Sequence, residues 1–109
     1  MTTQTLTITS DGSEVLIQKY YKHSKPINGM IEIGGDFDGG VLSLLISHSG
    51  GEAINPWNDL SGNQYITGLP KTVSFDIPVI NLNAGDTRIY YTLAGATSPS
   101  ITLTVADNQ

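Results

Sequence analysis

The chain has 109 residues, ten acidic against five basic side chains, 14% charged residues and no cysteine. That length suits one domain, which buries roughly 65% of its unfolded surface without covalent staples; the missing thiols exclude a disulfide scaffold, a thiolate zinc site and a cysteine nucleophile. A net charge of -5 repels phosphate backbones and anionic headgroups, so neither nucleic acid nor membrane is expected as a partner.

The first residues, MTTQTLTITSDGSE, carry neither a basic nor an apolar signal region, and no apolar run approaches the ~20 residues of a membrane helix. Residues 1–5 are expected to form a flexible arm, although Thr3–Thr9 alternates threonines with Leu6 and Ile8 as a half-buried strand does. Asp11-Gly12 signals a turn. Over Glu14–Tyr21, strict alternation puts Val15, Ile17 and Tyr21 on one face and Leu16, Gln18 and Tyr20 on the other. The lysine-rich segment with Pro26 and Asn28-Gly29 reads as a loop, and Met30–Ile33 as a short strand.

The rest of the chain is arranged around Gly34–Gly51, read as a central strand at about Val41–His48 with an acidic corner at Asp36 and Asp38. Leu42, Leu44 and Ile46 recur every second residue between glycine pairs that permit sharp turns. Glu52–Gly68 lacks periodicity and is expected to be a packed loop anchored by Trp57, with a short strand at Gln64–Thr67. Lys71–Pro78 alternates Val73, Phe75 and Ile77 with polar residues, and Pro78 ends it. A turn at Asn81–Gly85 leads to Asp86–Leu93, where Ile89, Tyr91 and Leu93 oppose Arg88, Tyr90 and Thr92. Ser100–Val105 closes the series before a polar tail at 106–109. Seven to eight short strands with regular turns, and no helical periodicity, predict a single all-β sandwich over residues 1–109, either jelly-roll or immunoglobulin-like.

Reactive constellations are weak. His23 and His48 are the only histidines, and the neighbours of Ser47-His48-Ser49 point apart along a strand without a G-x-S-x-G turn. Asp36 and Asp38 alternate as in a calcium loop, but no acid stands at the twelfth position, so they read as solvated turn residues. Asp36, Asp38, Glu52, Asp59 and Asp76 supply carboxylates for glycoside hydrolysis without any pattern that fixes their separation. No catalytic residue, metal or cofactor is expected, and the chain is read as a non-enzyme. Tyr20, Trp57, Tyr65 and Tyr90 are candidates for an interface, joined by Leu6 and Ile8 on a terminal strand able to pair with a neighbouring sheet edge.

The glycine-flanked corner Gly35-Asp36-Phe37-Asp38-Gly39-Gly40, the strand through Leu42, Leu44 and Ile46, the turn Ser47-His48-Ser49-Gly50-Gly51 and the following Trp57 resemble small β-sandwich structural proteins of tailed bacteriophage virions. Tyr90–Val105 resembles their closing hairpin. The resemblance implies a capsid decoration (cement) protein on the exterior of the virion, made in the host cytoplasm. Its implied partners are the major capsid protein, or a tail protein, and further copies of itself as dimer or trimer. The alternative it leaves open is a tail-associated carbohydrate- or receptor-binding module using Trp57, Tyr65 and nearby acids.

Overall fold

The computed structural model describes residues 2–21, 25–47, 53–58, 61–77 and 86–108. Seven longer strands and two very short ones follow in order: β1 (Thr2–Ile8), β2 (Gly12–Tyr20), β3 (Ile27–Asp36), β4 (Val41–Ser47), β5 (Asn55–Pro56), β6 (Ile66–Thr67), β7 (Lys71–Ile77), β8 (Thr87–Ala94) and β9 (Ser100–Asp107). One sheet runs β1-β9-β3-β7; the other runs β2-β8-β4-β5, with β6 also on β4. Every pairing is antiparallel.

The pairs nest. β1 meets β9, β2 meets β8, β3 meets β7, and β4 meets β5 and β6, as when a long antiparallel ribbon is folded over itself. That nesting is a jelly roll, which resolves the choice against the immunoglobulin-like alternative.

Alternation places the core between the sheets. Ile31, Ile33, Val73, Phe75, Ile77, Ile101, Leu103 and Val105 from the first sheet meet Leu42, Leu44, Ile46, Ile89, Tyr91 and Leu93 from the second, all buried. At ~2 kcal/mol for each fully buried aliphatic side chain, these contacts dominate the favourable side of folding. Near its end, toward the corner, β3 uses a glycine for a physical reason: Gly35, inside the strand, has φ +101°, and a Cβ there would run into the carbonyl of Ser100 on β9.

Four expectations change. Residues 2–5 are no arm, because Thr2 through Ile8 pair without interruption with β9. The tail is shorter than expected: Ala106 and Asp107 belong to β9, and the Asn108 amide donates to the Asn28 carbonyl at 3.1 Å. The faces of β2 exchange after Leu16, because a bulge sets two residues, Ile17 and Gln18, against Ile89. Tyr20 therefore turns inward and Tyr21 outward, 6% and 71% exposed respectively. Asn28-Gly29, expected in a loop, lies inside β3.

Candidate interaction surface

Each sheet has an outer face, and the two differ in chemistry. On the first sheet, cross-strand rows pair Thr7 with Thr102 and Thr5 with Thr104, and Glu32 stands beside Thr104 and Thr72. A shallow depression of about 500 Å³ lies over Gly34, where β3, β7 and β9 meet. This face is hydroxyl-rich.

The second sheet presents an apolar row. Leu16 on β2 opposes Tyr90 on β8, Tyr90 opposes Leu45 on β4, and Leu45 opposes Pro56 on β5. Leu16 is 47% exposed and Pro56 is exposed, while Tyr90 and Leu45 are half-buried by their neighbours. On one side of the row, along β4, lie Ile66, which opposes Ser43, and Val41 at the start of the strand, both exposed. The sequence dictates this placement: once Ile89 and Tyr91 face the core, Tyr90 between them must face out.

On the other side of the row, further along β2 and β8, stands a charged cluster. Lys19 and Arg88 face each other across β2 and β8. Asp86 joins them, with Lys19 Nζ 3.2 Å from Oδ2 and Arg88 Nε donating to Oδ1 at 3.1 Å. Burial pushes the Asp86 carboxyl up, but the hydrogen bonds and charges of Arg88 and Lys19 outweigh it and hold the group below the usual carboxylate range. Lys19 also lies over the Tyr21 ring, 5.0 Å from its centroid.

Of the six residues expected at an interface, Tyr90 alone sits in this row. Ile8, Tyr20 and Trp57 are buried, and Leu6 and Tyr65 pack against the core. The Tyr20 hydroxyl donates to Asp107 Oδ2 at 2.6 Å, and burial, that hydrogen bond and the carboxylate's charge together push its ionisation far above the ordinary tyrosine value. Trp57 is the anchor expected of its loop. Its ring meets Tyr65 edge-on and Phe75 at a tilt, both at 5.3 Å between centroids, and its amide donates to the Leu44 carbonyl at 3.1 Å. A cavity of about 140 Å³ remains beside Trp57, bordered by Asn58, Tyr65, Ser74, Phe75 and Asp76. Leu16, Leu45 and Pro56 carry neither an aromatic ring nor a place on a terminal strand, the two signals that mark interface candidates in the sequence; the outward parity of Leu45 between Leu44 and Ile46 is nevertheless readable.

The carboxylates of Asp36 and Asp38 serve the turns. Asp36 Oδ1 accepts from the Asp38 amide at 2.9 Å, and Asp38 Oδ2 accepts from the Ser98 amide at 2.7 Å. Among the described residues no group of three or more ligating side chains could hold a metal ion. His23, His48, Glu52, Asp59, Pro78, the Gly50-Gly51 turn and the Asn81–Gly85 turn lie outside the described residues.

No protein-family model matches the chain, and no curated protein matches it. Among solved structures it is similar to one of infectious bursal disease virus, Gx strain. That match has a TM-score of 0.50 and 15% identity, over 95% of this chain and 32% of that one. A structure of the VP2 subviral particle of infectious bursal disease virus also matches, with a TM-score of 0.47 and 17% identity over 94% and 32% of the two chains. The chain thus spans about a third of the length of those it matches, and at such identity the likeness is one of fold.

Proposed function

We propose that this chain is a structural protein of a virus particle, and within that role a capsid decoration (cement) protein of a tailed bacteriophage. It binds the assembled shell from outside through the outer face of its second sheet and carries out no reaction. The row Leu16–Tyr90–Leu45–Pro56 is the observation that carries this reading. It is an apolar stripe with a tyrosine at its middle, set on a sheet that the core holds rigid, and flanked by polar and charged groups as interface centres are. The fold likeness to a viral structure over 95% of the chain supports it, as does the resemblance of the Gly35–Gly40 corner and the strand after it to those of phage virion proteins. Rigid modules that touch several shell subunits at once gain 10²–10⁴ in avidity from weak single contacts.

A glycan-binding role on a tail needs an open aromatic platform. Trp57 is 7% exposed and Tyr65 stands edge-on against it, so shell contact is the better-supported reading.

The test is co-sedimentation of the purified protein with empty shells. The native chain should pellet with them. Combined Leu16→Glu and Tyr90→Glu should weaken binding by about 30-fold or more, the size expected for central interface anchors. Thr102→Glu on the other sheet should leave binding intact. A native chain that stays in the supernatant, or a double variant that binds as well as the native chain, would refute the proposal. Negative-stain images of particles with and without the protein then separate capsid from tail.

A further inference from the structure

The two sheets have their edges at β1 and β7, and at β2 and β5 with β6. An edge strand exposes unpaired N–H and C=O groups, and proteins protect such edges with charge, bulges, brevity or cover. Three of the four are protected. β2 carries two register shifts and two charged residues, Glu14 and Lys19. β7 carries Lys71 and Asp76, and the Tyr65 hydroxyl donates to its Ser74 carbonyl at 2.9 Å. β5 and β6 are two residues each.

Among the described residues β1 has none of these devices. TTQTLTI contains no charge, proline or glycine, and its seven residues pair in unbroken register with β9. The first charged residue of the chain is Asp11, beyond the strand.

We infer that the free edge of β1 pairs with β1 of a second copy, antiparallel about a two-fold axis at Thr5. The two first sheets then become one continuous sheet. The sequence of β1 suits itself in that register. Thr5 faces its own equivalent and Thr3 faces Thr7, all on the outer side, while Gln4 faces Leu6 on the inner side. Thr–Thr pairs across strands are favourable, and a two-fold contact requires such self-complementarity. Charge selects the occupant as well. Two copies at -5 each repel, and an uncharged edge is where they can approach with least opposition. Leu6, half-buried at the rim of the core, gains cover from the partner. This contact lies at an edge of the first sheet and is independent of the proposed shell contact on the second.

Sedimentation velocity tests it on three forms of the full chain. The native protein should sediment as a dimer. Thr5→Lys, which sets two ammonium groups opposite each other at the axis, should weaken dimerisation about tenfold or more. Ser74→Lys, on the other edge of the same sheet, should leave the dimer unchanged. Should Thr5→Lys misfold, Thr5→Cys in this cysteine-free chain supplies a second readout. A short bismaleimide should link it into a covalent dimer, and should not link Thr72→Cys. A native monomer across the accessible concentrations, a dimer indifferent to Thr5→Lys, or equal linking of both cysteine variants would overturn the inference.

Discussion

Lys19 and Arg88 face each other across neighbouring strands, an arrangement that costs stability unless an anion stands between them. Asp86 is that anion. Its carboxyl binds a proton less readily folded than unfolded, because the two cations outweigh the effect of burial. A depressed carboxyl contributes stability that is present above its unfolded value of about 4 and is lost as pH falls through its lower, folded value. Asp86→Asn should therefore lower the melting temperature at neutral pH, and the gap to the native protein should narrow in acid below about pH 4. A gap that stays constant through the acid range would show that the pair of cations is held apart some other way. At this scale the sequence was only partly legible. Asp86 stood at the foot of a clean strand, yet its partner Lys19 faces it only because the bulge at Ile17 and Gln18 reverses the alternation of β2. A bulge leaves no mark on the pattern of apolar residues, which is why strict alternation puts Tyr20 and Tyr21 on each other's faces.

Turns at one end of the slab are fastened to each other by carboxylates. Asp11, between β1 and β2, accepts from the Gly95 and Ala96 amides at 3.1 Å each, and Asp38, between β3 and β4, accepts from the Ser98 amide at 2.7 Å. Both thus hold the connection from β8 to β9. Asp38 also has φ 46°, a left-handed conformation that aspartate and asparagine tolerate better than alanine does. Asp38→Ala should cost about 1–2 kcal/mol, one charge-assisted hydrogen bond plus backbone strain. Asp38→Asn should cost less, since it retains an acceptor and tolerates the same φ. Urea titration with an unchanged slope measures both, and equal losses would show that the strain contributes nothing. The longer strands β4, β7, β8 and β9 were readable because each alternates without a break. β5 and β6 were not fully so, because two-residue pairings on β4 are set by where Trp57 docks rather than by their own sequence.

Across the whole molecule, one core joins both sheets, and Trp57 sits in it against Tyr65 and Phe75. Unfolding followed by the fluorescence of this single tryptophan should coincide with unfolding followed by far-ultraviolet circular dichroism, as expected for a single cooperative unit. Separated transitions would mean that the loop carrying Trp57 melts on its own. The sandwich was legible in the spacing of strands and turns; the jelly-roll order was not. Which strands become neighbours depends on pairings between distant parts of the chain, such as β2 with β8, and the alternation of each strand is the same in either topology. The pairing of β1 with β9 has a practical side. Thr2 lies opposite Asp107, about 5 Å away by the geometry of an antiparallel ladder, so cargo fused at either end would leave from one corner. A tag, a fluorophore or a displayed antigen attached at that corner leaves both broad faces unobstructed.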